Sequence, residues 1–183
     1  MKKILFVLSF FPLFTNAQEQ TAKRFIDFLN DYKTDSLEGM LAEDFVLKRT
    51  FTGYTNDKTS FIKDYVSNAK NCNAKFISIK TLKANNPVQL LAEDKSDYLK
   101  YLDIRPLLWK LVITINNEKI ESMIVDTVQG ATNEYFTQIR IKMKKFEDWL
   151  NKEYPGEING RLYEEPGLLT RRLSEFAKLE DSH

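Results

Sequence analysis

The sequence predicts an α+β fold in which helices lie on one face of an antiparallel sheet. Three observations carry this expectation. Helix-periodic segments come first, β-branched and aromatic segments joined by short turns follow, and helical periodicity returns in the last third. With 183 residues, 43% of them apolar, one domain with a substantial core is expected.

The first residues stand apart. Lys2 and Lys3 precede the apolar run from Ile4 to Phe14, and Thr15-Asn16-Ala17 closes it with small residues before Gln18. A helix of that run rises about 16 Å, against about 30 Å for a bilayer core. The order of charge, apolar run and small residues is that of a secretory signal peptide, with cleavage expected after Ala17 and a secreted or periplasmic product. No cysteine stands at the cleavage point to carry a lipid, and no later run is long enough to span a membrane. Losing Lys2 and Lys3 with the leader turns the net charge from +1 to −1, so nucleic acid is not an expected partner. Cys72 is the only cysteine and has no intramolecular disulfide partner; it reads as a small residue at a helix end, with a reactive thiol as the alternative.

From Thr21 the spacing of Ala22, Phe25, Ile26, Leu29 and Tyr32 predicts a helix. Asp35, with Glu38 three residues on, predicts the cap of a short second helix carrying Leu37, Met40 and Leu41. A strand follows from just after Asp44, with Phe45, Leu47 and Phe51 as its apolar positions. Asp57 or Asn56 then caps a third helix, whose inner side holds Phe61, Ile62, Tyr65, Val66 and Ala69. After the turn at Asn71 to Asn73, "KFISIKTLK" and "VQLLAED" read as strands separated by Asn85-Asn86-Pro87. "LLWKLVITINNEKIESMIVDTV" is a hairpin: Trp109, Leu111, Ile113 and Ile115 alternate on one face, Asn116-Asn117 supply the turn, and Ile120, Ser122, Ile124 and Asp126 alternate on the return. Phe136, Ile139, Met143, Phe146, Trp149 and Leu150 predict a long helix ended by Pro155-Gly156. Leu169, Leu173, Phe176 and Ala177 predict a shorter one after Pro166. The basic cluster Arg140, Lys142, Lys144 and Lys145 reads as a solvated helix face or as a site for an anionic surface.

A strongly curved sheet wrapped around a long N-terminal helix makes a cone. The helix "AKRFIDFLNDY", the junction "MLAEDFVL", the third helix, and "AEDKSDYLKYLDIRP" leading into "WKLVITINNEKIESMIVD" resemble the nuclear transport factor 2-like superfamily, in particular its bacterial SnoaL-like polyketide cyclase branch. The resemblance covers roughly residues 21 to 127. Together with the leader, the expected organisation is a signal peptide over residues 1–17, a cone domain over 18–128, and an added helical extension over 129–183, packed on the same domain, that the resemblance does not itself account for. In such relatives two copies often pair through the outer face of the sheet, so a homodimer is an expected partner state.

The segment Ala92 to Pro106 then has a role to fill. Ser96 caps a short helix whose Tyr98, Leu99, Tyr101 and Leu102 either close the wide end of the cone over a pocket or simply fill core space. The ligand-binding residues expected are Tyr98, Tyr101, Leu102 and Trp109.

The one histidine, His183, is the last residue, so imidazole catalysis and histidine metal sites are not expected. No nucleotide-binding glycine motif or serine-hydrolase elbow occurs. Neither a cofactor nor a metal is called for. In ketosteroid isomerases, limonene epoxide hydrolases and the cyclases an inward Asp is the general base, often beside a Tyr or a second acid, which turns attention to Asp94, Asp97, Asp103 and Asp126. Asp126 shares parity with Ile120 and Ile124 and is expected at the end of an apolar wall, where desolvation raises its pKa; Asp94 closes the preceding strand. These two are the catalytic candidates. Asp103, Arg105 and Asp126 hint at the Asp-Arg-Asp set of the epoxide hydrolases. The function expected is an exported domain that binds a small apolar or amphipathic molecule, or a protein, in the cone. An Asp-dependent isomerase, cyclase or hydratase is the alternative, and an envelope interaction module using the C-terminal helices is a third.

Overall fold

The computed structural model describes the backbone of residues 11–128 and 131–181, with side chains from Ala17 onward. Lys2, Lys3, most of the apolar run behind them and His183 lie outside the described residues.

Helix α1 (Phe11–Asn30) begins before the expected Thr21 and runs through the expected cleavage point. Ala22, Phe25, Ile26 and Leu29 are buried, as their spacing requires. Its last residue ties it to the sheet, because the Asn30 amide both donates to and accepts from the Phe76 backbone, at 2.8 Å each way. Helix α2 (Thr34–Met40) starts one residue before Asp35, has Lys33 at its cap position, and lacks the expected side-chain cap. Strand β1 (Leu41–Arg49) follows without a break.

Strand β2 (Thr55–Asp57) leads into a helix of three parts: α3 (Lys58–Ser60), a π-helical segment (Phe61–Tyr65) and α4 (Val66–Asn71). Asp57 caps it as expected, accepting from the Ser60 N–H at 2.8 Å. The π segment keeps the Phe61 ring in the core and stacks Tyr65 on it at 5.2 Å. Phe25, Phe45 and Phe61 join α1, β1 and this helix in one aromatic contact set, with centroids 5.0–6.5 Å apart.

Strands β3 (Lys75–Lys83), β4 (Val88–Lys95), β5 (Leu108–Asn116) and β6 (Lys119–Thr127) form an antiparallel meander, and β6 then pairs with β1. The order is β2-β1-β6-β5-β4-β3, and every pairing is antiparallel except β1 with β6, which is parallel. The result is a mixed curved sheet with α1 against its concave face, the cone expected from sequence. Asn86 substitutes for a strand residue at the β3–β4 turn, its amide exchanging hydrogen bonds of 2.8 and 3.0 Å with the Ile115 backbone.

The β5–β6 hairpin is where expectation and structure part. Trp109, Leu111, Ile113 and Ile115 do face inward. The turn residues with positive φ, however, are Asn117 and Glu118, not Asn116 and Asn117. Beyond the turn Ile115 faces Ile120 but Thr114 faces Ser122, so Glu121 is an extra residue in β6. This bulge reverses the parity of the strand: Ile120, Met123 and Val125 are buried, while Ser122, Ile124 and Asp126 turn to the outer face.

Helix α5 (Asp97–Tyr101) is capped by Ser96, which accepts from the Leu99 N–H as expected. Helix α6 (Asn133–Glu153), capped by Thr132, is followed by a 3₁₀ turn (Glu157–Asn159), α7 (Arg161–Glu164) and α8 (Leu168–Glu180). Phe146, Leu150, Leu162, Leu169, Leu173 and Phe176 of these helices enclose Leu102 and Ile104 in a second apolar cluster. Arg172 braces it, pairing with both Glu157 oxygens at 2.8 Å and lying 3.4 Å over the Tyr154 ring. The basic cluster faces solvent: Lys142 pairs with Asp103, Lys144 with Asp148, and Arg140 with the Thr137 hydroxyl.

Deleting Glu121 removes the bulge but leaves Met123 opposite Ile113 and Val125 opposite Leu111, so the deletion is expected to keep cooperative urea unfolding. Glu121→Ala, which keeps the register, is expected to change stability by less than about 1 kcal/mol. Loss of cooperative unfolding in the deletion, with Glu121→Ala unaffected, would contradict the register assigned here.

Candidate functional site

The inward rows of β1 and β4 end in charged residues. On β1 the buried Phe45 and Leu47 are followed at the same parity by Arg49; on β4 Val88, Leu90 and Ala92 are followed by Asp94. Both ends open on one cavity of about 840 Å³, within the usual range for small-ligand sites. Its apolar walls are Leu29 of α1, Phe51, Tyr65, Phe76, Trp109 and Val125. Phe51 lies on the Trp109 ring at 4.7 Å and on Phe136 at 5.5 Å, making a layered aromatic wall.

Asp94 is the carboxylate of this cavity. Burial among apolar groups pushes its pKa up to about 6, against the opposing pull of the Arg49 charge and a hydrogen bond from Trp109. Arg49 stacks on Tyr65, its guanidinium carbon 5.1 Å from the ring centroid. Burial raises the pKa of Tyr65, with Arg49 acting in the opposite direction. Cys72 also lines the cavity; burial pushes its thiol up to about 11, and Sγ donates to the Asn68 carbonyl at 3.2 Å, the environment of an unreactive thiol.

Asp126 is not part of this site. The Glu121 bulge puts it on the outer face, where it pairs with Lys110 at 2.8 Å and accepts from the Thr50 hydroxyl at 2.8 Å. The Lys110 and Thr50 hydrogen bonds hold its pKa below the usual carboxylate range, opposite to the expected shift. Asp103 is fully exposed beside Lys142 and Arg105 is exposed as well, so the Asp-Arg-Asp set is not assembled. Asp97 is buried but structural: it accepts from Asn73 at 2.6 Å and from the Thr170 hydroxyl, tying α5 to α8.

Of the four expected ligand-binding residues, Trp109 and Tyr98 line the cavity. Tyr101 and Leu102 instead pack against the C-terminal helices in the second cluster, because a five-residue helix has one side for the cavity and must bury its other side elsewhere. The helical excursion is therefore a lid at Tyr98 and core filling at Tyr101 and Leu102. Tyr98 meets the Tyr163 hydroxyl at 3.3 Å, and Leu169 stands beside them, so α7 and α8 also contribute to the lining. Arg49 and Tyr163 were missed from sequence. The parity of Phe45, Leu47 and Arg49 carried the signal for Arg49; nothing local announces Tyr163.

The raised pKa of Asp94 has a sign. A carboxyl held above its unfolded value of 3.8 favours folding least when ionised, so stability falls as pH rises from about 3.8 through about 6 and is then level. Asp94→Asn should therefore stabilise the protein by about 2–3 kcal/mol near pH 8 and by less than about 1 kcal/mol near pH 4. Urea unfolding at both pH values checks this; an equal gain at both would remove the desolvated carboxylate from the account.

No protein-family profile matches the chain, and no curated protein does. Solved structures do. A protein assigned as a ketosteroid isomerase from Kribbella flavida superposes with a TM-score of 0.52 at 10% identity, over 63% of this chain and 81% of that one. A protein assigned as a polyketide cyclase from Xanthomonas campestris gives 0.52 at 10% identity, over 68% of this chain and 98% of that one. A nuclear transport factor 2-like protein of unknown function from Cytophaga hutchinsonii matches at 15% identity and a TM-score of 0.47, over 59% and 87%. At these identities the likeness speaks to the backbone alone: the curved-sheet cone is a fold shared with the Kribbella and Xanthomonas structures.

Proposed function

We propose that this chain is an exported protein that binds a small amphipathic molecule in the cavity between α1, the concave face of the sheet and the Tyr98–Tyr163 contact. The carrying observation is the cavity itself: about 840 Å³ walled by Phe51, Phe76, Trp109 and Val125, with Asp94 and Arg49 as its converging charged groups. Export rests on the order Lys2-Lys3, apolar run, Thr15-Asn16-Ala17. Pairing of two copies through the outer sheet face, where Val46 and Leu108 are exposed, belongs to the same proposal.

A second reading rests on Asp94. A carboxylate with a pKa near 6 in an apolar wall is largely ionised at neutral pH, yet basic enough to accept a proton from carbon next to a carbonyl. The ketosteroid isomerase and polyketide cyclase assignments of the fold neighbours support this for an isomerase or cyclase, with Asp94 rather than Asp126 as base.

The chain has two tryptophans, one in the cavity and one, Trp149, in the second cluster. In Trp149→Phe, titration with a cavity ligand found in a thermal-shift survey of hydrophobic metabolites is expected to change the remaining emission. In Trp109→Phe it is expected to leave emission unchanged. No ligand in the survey, or a response carried by Trp149, would refute the cavity as the binding site. For the second reading, exchange of the α-hydrogens of a bound ketone in deuterated water is expected in the wild type and lost in Asp94→Asn. Equal exchange in both removes Asp94 as base. Intact-mass measurement of the secreted protein is expected to give an N-terminus at Gln18.

A further inference from the structure

We propose that Arg49 is the anchor for an anionic head group, so that the cavity takes an amphipathic acid: a flat apolar body carrying one carboxylate, with the head at Arg49 and the body against Phe51 and Trp109. The inference rests on the small-ligand reading above and adds the charge, class and orientation of the ligand.

The position of Arg49 is the first argument. It continues an inward row whose preceding members, Phe45 and Leu47, are buried, at a place where an apolar residue would complete the wall. Turning a guanidinium toward an apolar hollow costs free energy unless something there meets its charge. Among the described residues no carboxylate forms an ion pair with it within 4.0 Å. Its interactions are the Tyr65 ring and hydroxyl and the field of Asp94. A guanidinium has five N–H donors in a planar fork, and one aromatic neighbour leaves most of them for a planar acceptor.

Asp94 is the second. It shares the cavity with Arg49 without contacting it, so the two opposite charges leave a gap between them. A carboxylate entering that gap neutralises Arg49 and stands as a like charge to Asp94, which answers by taking up a proton. Binding of an acid is therefore coupled to protonation of Asp94, and its affinity falls as pH rises through the range where Asp94 ionises in the free protein. The other ionisable groups facing this space are Lys75 of β3, Tyr54, Tyr65, Cys72, Tyr98 and Tyr163, with Tyr135 of α6 behind Asp94. Burial raises the pKa values of Tyr65, Cys72, Tyr98 and Tyr135, keeping them neutral across this range; Lys75 lies 5.6 Å from the Tyr32 ring at the cavity edge and adds to the attraction for an anion.

The test is calorimetric, on the whole secreted protein, with 2-naphthylacetate and the isosteric neutral 2-naphthylacetamide as probes. The acid is expected to bind at least about tenfold more tightly than the amide near pH 5.5, and about tenfold more tightly there than near pH 8. Proton uptake, read from the dependence of the binding heat on the buffer's ionisation enthalpy, is expected for the acid and not for the amide. Arg49→Gln should lose the preference for the acid, weakening acid binding at least about tenfold more than amide binding. Asp94→Asn should keep the preference and lose the pH dependence. Equal binding of acid and amide by the wild type overturns the anion site and leaves small-ligand binding standing; binding of neither overturns both. A preference for the acid that survives in Arg49→Gln overturns the assignment to Arg49.

Discussion

The extra residue Glu121 sets which side chains of the last strand meet the hollow. Because a strand alternates faces with a period of two, one inserted residue reverses everything after it. Without the bulge, Ile124 and Asp126 would lie between Leu111 and the cavity, and Met123 and Val125 would face solvent. With it, Val125 joins the cavity wall, Asp126 forms a cross-strand pair with Lys110, and the hollow keeps a carboxylate only from β4. The parallel contact of β1 with β6 depends on the same feature, since Arg49 stands beside Val125 in the register that follows the bulge. That Arg49 and Asp94 both face the hollow while Asp126 does not thus depends on a local irregularity in β6, which contains neither Arg49 nor Asp94.

Most of the fold was legible because it is written in periodicity. The Phe25–Leu29 stripe, the Ser96 and Asp57 caps, the β5 alternation and the breaks at Pro155-Gly156 and Pro166 each express a local rule, and each appears where expected. The site was legible only in part. Trp109, Tyr98 and Asp94 were within reach because they close or interrupt strands. Asp126 was misplaced because a bulge leaves no mark in composition; a strand that reads Ile-Glu-Ser-Met-Ile-Val-Asp offers Ile124 and Met123 as equally apolar choices for the core. Tyr101 and Leu102 were misplaced for another reason. Their true partners, Phe146 and Leu173 among them, lie far along the chain, and no local rule says which of two apolar faces of a one-turn helix meets which neighbour. The same distance hides Tyr163.

The cost of two inward charges is carried by the rest of the core. Desolvation outweighs the attraction of Arg49 at Asp94, which is why the carboxyl titrates high and not low. A salt bridge closed between the two would lower that cost, and the fold does not close it. Against this stand fully buried side chains such as Phe25, Phe45, Phe61, Leu111 and Ile113, each contributing about 1.5–3 kcal/mol on transfer from water. A site that keeps a destabilised carboxylate within a well-packed cone has the character of a functional site, where perturbed groups collect. The contrast with Asp97 sharpens the point: that carboxylate is buried, but Asn73 and Thr170 satisfy it, and it joins elements instead of facing space.

The two ends of the cavity answer to different parts of the chain. Arg49, Asp94 and Trp109 belong to strands whose neighbours on both sides are paired, so their positions are as rigid as the sheet. The opposite rim is the Tyr98–Tyr163 contact with Leu169, made between the one-turn α5 and helices whose own core is a separate cluster. Asp97 couples the two by binding α5 to Thr170 of α8, one residue from Tyr98 and one from Leu169. Of the C-terminal helices, α7 and α8 meet the rim through α5, while α6 reaches the charged end, with Phe136 stacked on Phe51 and Tyr135 near Asp94. The charged groups are thus placed by the sheet and the rim by α5, α7 and α8, with α6 packed against both the sheet and the second cluster.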